Sequence, residues 1–117
     1  MAQAKLEIAI REPNARVRVL ELRDGIGRPA EVPLMAAYQE AISGGAAMVI
    51  LNFGEVEAVD SYGLGLLIRL QARARRQKQR LVACGLSAPL RQAFEVSYLD
   101  ESLEIYAEEA EALQNAG

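Results

Sequence analysis

Along residues 5–11, Leu6, Ile8 and Ile10 alternate with polar or small residues, the two-residue period of a half-buried strand. Glu12-Pro13-Asn14 is a turn signal. Alternation resumes over residues 16–23 with Val17, Val19, Leu20 and Leu22, so the pattern predicts a hairpin. Asp24-Gly25-Ile26-Gly27-Arg28-Pro29 reads as a loop. Pro33 suits the first turn of a helix, where a missing N–H costs little. Leu34, Ala37, Tyr38, Ala41 and Ile42 then recur at helical spacing until Ser43-Gly44-Gly45. Residues 47–53 form a nearly continuous apolar run, as expected of a central strand covered on both faces.

After a short connection, residues 61–76 carry the longest helical pattern in the chain. Residues 80–84 read as another buried strand, and Ser87 as the N-cap of a short helix with Pro89 early in it. Residues 102–106 are a weak strand. Residues 108–113 are a terminal helix whose acidic first turn suits its dipole. The order β-β-α-β-α-β-α-β-α implies an α/β fold: a mixed, mostly parallel central sheet of about five strands with about four helices packed on it.

The 117 residues fit one small domain, spanning 1–117 with a core over about 5–113. Hydrophobic residues make up 51% and charged ones 25%, so the chain can bury a core. Aromatics are only 5%, so that core is mostly aliphatic. A net charge of −3 argues against wholesale nucleic-acid binding. Residues 1–13 lack the apolar centre of a signal peptide, and no apolar run has membrane-spanning length. The expectation is a cytoplasmic protein with no membrane insertion, its oligomeric state left open. Catalysis is not expected. There is no histidine to act as general base or metal ligand, and the single cysteine, Cys84, sits in an apolar strand. The expectation is therefore a non-enzyme with no cofactor and no metal.

The informative segment is Ala58-Val59-Asp60-Ser61-Tyr62-Gly63-Leu64-Gly65-Leu66-Leu67. Asp60 and Ser61 are both good N-cap residues, and capping alone would account for them. Gly63 and Gly65, however, fall in the first turns of a helix, where each costs about 0.5–1 kcal/mol relative to Ala. Such glycines point to another backbone, or a partner, approaching closely. The spacing is not that of a phosphate-binding loop.

The chain from Met48 to Tyr106 resembles the second half of a STAS domain, and its opening hairpin and first helix fit that family too. The resemblance rests on Asn52 ending a hydrophobic strand, on the D-S-x-G-L-G block of Asp60, Ser61, Gly63, Leu64 and Gly65, and on Ser87. Within that family it resembles the branch of the bacterial anti-sigma factor antagonists. In that branch the serine after the aspartate is phosphorylated by a partner serine kinase that is also the anti-sigma factor. The resemblance therefore implies Ser61 as phosphoacceptor, with binding of the kinase by the dephosphorylated form, release of the sigma factor, and a phosphatase that reverses the modification. Such a protein takes part in bacterial signal transduction and transcription regulation.

Residues Ser61, Gly65, Arg69 and Arg73 recur four apart, with Tyr62 and Arg76 beside them, so they share a helix face. From Ser61 to Phe94 there is no acidic residue, whereas acids cluster after it. The expectation is a basic stripe that meets an acidic partner surface, with Tyr62 as an aromatic anchor. A solvated arginine-rich face is the plainer alternative. Asp24 and Arg28 are expected on the neighbouring loop of the same surface. The chain also departs from the family. Gly27 stands where the antagonists carry an acid, Gln77-Lys78-Gln79 replaces a glycine pair, and Tyr98 stands near a common glycine position. Two other functions remain open. One is an unphosphorylated STAS subunit of a larger assembly, such as a lipid-transport complex or a signalling scaffold. The other is a sensor of a small nucleotide or lipid.

Overall fold

The computed structural model describes residues 6–116. Residues 1–5 and 117, including the Lys5 end of the first predicted strand, lie outside the described residues. Strands β1 (Glu7–Asn14) and β2 (Val17–Ile26) form the predicted antiparallel hairpin. A 3-10 turn, Arg28–Ala30, leads into α1 (Glu31–Ser43). Next come β3 (Met48–Val59), α2 (Ser61–Arg76), β4 (Arg80–Cys84) and α3 (Ala88–Val96). The four-residue α4 (Leu99–Ser102), β5 (Glu104–Tyr106) and α5 (Glu109–Gln114) complete the chain. The strands form one sheet in the order β1-β2-β3-β4-β5, parallel except for the first pair. This is the expected mixed α/β sheet.

Strand alternation divides the interior into two layers. Leu20, Leu22, Val49, Leu51, Phe53, Leu81 and Ala83 point to the main core, with the inner faces of α1, α2 and α3. Phe53 meets Phe94 edge-on at 5.7 Å between ring centroids, a favoured aromatic geometry. Val17, Val19, Met48, Ile50, Val82 and Cys84 point the other way, onto Ala112 and Leu113 of α5. The apolar run of β3 is therefore covered on both faces, as its composition predicts. Cys84 is a buried core residue, and burial pushes its thiol up to about 11.

The ends of β2 and β3 and the number of helices differ from the sequence expectation. The loop expected at residues 24–29 is strand up to Ile26, and the connection expected after Phe53 is strand up to Val59. These two tails pair with each other, Asp24 with Val56, Gly25 with Ala58 and Ile26 with Val59, across two irregularities in register. β4 ends at Cys84, opposite Asn52, so the tails extend beyond the rest of the sheet. Among the described residues the α-helices number five rather than about four, because α4 forms after Tyr98. Among the described residues no helix is long and apolar enough to cross a membrane.

Candidate functional site

The extended pair of β2 and β3 tails ends where α2 begins, and that junction builds the site. Asp60 is the N-cap of α2, with extended backbone, and its Oδ1 accepts the N–H of Gly63 at 2.8 Å. The Asp60 N–H donates to the Ile26 carbonyl at 3.2 Å, which fixes the cap to the end of β2. The Leu64 N–H takes the first helical bond, to the Asp60 carbonyl at 2.9 Å. The N–H groups of Ser61 and Tyr62 are the ones left to an outside acceptor, as is usual in a first turn. Ser61 is exposed, and the capping is done by Asp60, so the Ser61 hydroxyl is free of that task.

The two glycines of the motif have different reasons. A β-carbon on Gly63 would lie 2.0 Å from the Ile26 carbonyl oxygen, so a neighbouring backbone forbids a side chain there. A β-carbon on Gly65 would meet nothing within 4 Å. Nothing inside the described residues requires glycine at 65. Gly27 acquires a reason as well. A β-carbon there would lie 2.7 Å from Asp60 Oδ2, so a side chain at 27 would crowd the capping carboxylate.

Around this junction a cleft of about 470 Å³ is lined by residues 25–29 together with Ala58 and Asp60. The Arg28 guanidinium stands over the Tyr62 ring, 4.9 Å from its centroid, a cation–π arrangement. The Tyr62 hydroxyl donates to Glu31 Oε1 of α1, and Arg69 donates to Glu31 Oε2 at 3.0 Å. The bond from Tyr62, together with Arg69, holds the Glu31 carboxyl below its ordinary range. The same bond raises the Tyr62 hydroxyl.

The structure thus brings together Asp60, Ser61, Tyr62, Gly63 and Arg28. Asp24 is not among them. It sits within β2 opposite Val56, in a left-handed conformation with φ of 72°, and does not line the cleft. The basic stripe also differs from its expectation. Arg69 is paired to Glu31, and Arg73 donates to Gln39 and stands over the Tyr38 ring. Both arginines thus lean onto α1, because its polar side chains flank the groove between the two helices. Ser61 and Ile68, the latter 44% exposed, also lie on the outer side of α2. Gly63, Leu67, Leu70 and Ala74 face the core as the spacing requires, joined by Leu66. Helical periodicity could place Arg69 and Arg73 on one face of α2. The docking of that face's edge against α1 is a tertiary fact that periodicity does not carry.

Residues 9–107 match the family model described as Mlab, STAS domain. The chain belongs to the STAS domain family. Solved structures share this STAS fold at low identity. The anti-sigma factor antagonist SpoIIAA in its unphosphorylated form is 22% identical at a TM-score of 0.76, over 93% of this chain and 95% of that one. The Bacillus SpoIIAA in its phosphorylated form is 21% identical at 0.73, over 95% and 100%. A sulfate transporter family protein from Wolinella succinogenes is 19% identical at 0.75, over 86% and 84%.

Two of this STAS domain's departures from its family now have a backbone meaning. Lys78 and Tyr98 both adopt left-handed conformations, with φ of 55° and 60°. Glycine enters that region at no steric cost, whereas a side chain is strained there. Both positions follow helix ends, Lys78 after α2 and Tyr98 after α3, where a left-handed residue commonly closes the last turn.

Proposed function

We propose that this STAS domain is a protein-binding switch of the anti-sigma factor antagonist type, with Ser61 as phosphoacceptor. In its dephosphorylated form it binds an anti-sigma factor serine kinase and releases the sigma factor, and a cognate phosphatase restores that form. It acts in the cytoplasm as a binding module and not as an enzyme. The observation that carries the reading is the exposed Ser61 at the first position of α2, a helix end already capped by Asp60. A phosphate there meets unpaired N–H groups and the positive end of the helix dipole, so the fold tolerates it. The likeness to SpoIIAA in both its unphosphorylated and phosphorylated forms supports a fold that persists through the change. The added charge of about −1.5 to −2 at pH 7 lies beside the Asp60 carboxylate and in the middle of the docking surface. Partner contacts packed around a neutral serine are lost when that charge must be desolvated. The docking surface comprises Asp60, Ser61, Tyr62, Gly63, Gly65 and Arg28, with Arg69 and Arg73 at its α1 flank and Asp24 at its far margin.

A second reading is a permanent, unphosphorylated subunit of a larger assembly, such as a lipid-transport complex or a signalling scaffold. It is supported by the family model being the one described as Mlab, and by Gly27 in place of the antagonists' acid. Partner binding by Ser61→Ala and Ser61→Asp separates the two. Binding kept by Ser61→Ala and lost by Ser61→Asp supports the switch. Equal effects of both substitutions favour the permanent interface.

A further inference from the structure

β1 ends the sheet, so no strand pairs with its outer side among the described residues. Such an edge offers a row of N–H and C=O groups to any extended chain that fits it. Pro13 and the irregularity between Arg11 and Asn14 limit the edge at one end. Residues 7–11 are regular, paired to β2 from Glu7 opposite Arg23 to Arg11 opposite Val19.

These five residues, Glu7-Ile8-Ala9-Ile10-Arg11, are complementary to themselves in the antiparallel sense. Directly opposite residues of an antiparallel pair share one face of the sheet and touch. About a twofold axis through Ala9, Glu7 faces Arg11 of a second copy, and Ile8 faces Ile10. The faces agree as well. Ile8 and Ile10 pack against the main core, whereas Arg11 lies on the opposite face with Glu21 and Glu109. Moving the register by one residue turns the second copy's isoleucines to the polar face. Moving it by two loses both Glu7–Arg11 matches.

The groups at this edge have capacity to spare. A guanidinium has five N–H donors, and Arg11 uses one on Glu21 and two on Glu109. Glu7 is exposed and holds no ion pair among the described residues. Beside the strand, Ile8 and Ile10 line a cleft of about 440 Å³ with Pro33, Ala36 and Ala37 of α1. Isoleucines from a second strand would extend its apolar wall.

We propose that two copies of this chain pair through β1, antiparallel and centred on Ala9, joining their sheets into one. This surface is separate from the Ser61 junction and does not depend on the function proposed for it. The test is sedimentation of the wild-type chain, of Glu7→Arg and of Ala9→Cys. Glu7 and Ala9 are exposed, and the natural cysteine, Cys84, is buried and does not compete for oxidation. The expected results are a wild-type dimer, dissociation at least about tenfold easier in Glu7→Arg, where like charges face each other twice, and a disulfide-linked dimer of Ala9→Cys. A chain that stays monomeric at the highest attainable concentration overturns the proposal. So does a dimer that Glu7→Arg leaves unchanged, or one in which Ala9→Cys does not cross-link.

Discussion

Gly63 presses its α-carbon against the carbonyl of Ile26, so closely that an added β-carbon would lie 2.0 Å from the oxygen. The contact holds the start of α2 against the end of β2, and the same carbonyl accepts the N–H of Asp60. Gly63→Ala is expected to destabilise the fold by about 1–3 kcal/mol, since α2 or β2 must move. Gly65→Ala is expected to do the reverse and stabilise it by about 0.5–1 kcal/mol, the helix propensity difference with open space around the new methyl. Urea denaturation of both variants checks the pair. If the partner's backbone approaches at Gly65, its Ala variant also binds that partner more weakly while folding better.

Asp60→Ala removes the side-chain acceptor of the Gly63 N–H. It is expected to cost about 0.5–2 kcal/mol, with Asp60→Asn retaining most of the stability. Comparison of the two in chemical denaturation separates loss of the cap from loss of the charge. Equal losses in both variants would contradict the capping role.

Much of this junction could be read in the residues themselves. Residue type and position within a helical pattern point to a cap at Asp60 or Ser61 and to close approach at Gly63 and Gly65; the packing against Ile26 is what selects Asp60 and Gly63. The extension of β2 and β3 was hidden for a physical reason. Gly25, Gly27 and Pro29 carry turn signals, and residues 54–59 lie past the end of β4, where one neighbour pairs and Glu55 and Glu57 stay exposed. α4 escaped because Tyr98 gives no hint of the left-handed turn that starts it. Arg18 gave no signal either. It is only 8% exposed, donates to the Gly44 carbonyl at 2.9 Å and pairs with Glu12, and so ties the β1–β2 turn to the end of α1.

Tyr38 is fully buried, and its hydroxyl finds no hydrogen-bond partner among the described residues. Tyr38→Phe is expected to stabilise the fold by about 1 kcal/mol, because an unsatisfied polar atom is removed. The ring that Arg73 covers, at 5.3 Å, is kept. A higher midpoint in thermal or urea unfolding is the expected result.

Glu109 joins α5 to the sheet through Arg11 and through the Asn52 amide at 2.9 Å. Arg11 first, and Asn52 after it, hold the Glu109 carboxyl below its ordinary value of 4.5, against the opposing effect of burial. A depressed folded-state value means the contribution is present above pH 4.5. It is lost as pH falls through the lower folded-state value. Glu109→Gln is therefore expected to lower stability at pH 7 and to flatten its decline below pH 4.5. Denaturation midpoints measured from pH 7 to pH 3 check this.

The proposed switch rests on Ser61. Its most direct test is the mass of the Ser61-containing peptide from protein purified from the native host, with fragment mapping of any phosphorylated species. Phosphate on Ser61, removable by phosphatase with recovery of partner binding, is the expected result. A peptide that stays unmodified, even after incubation with ATP and the host's candidate serine kinases, would contradict it and leave the permanent-subunit reading.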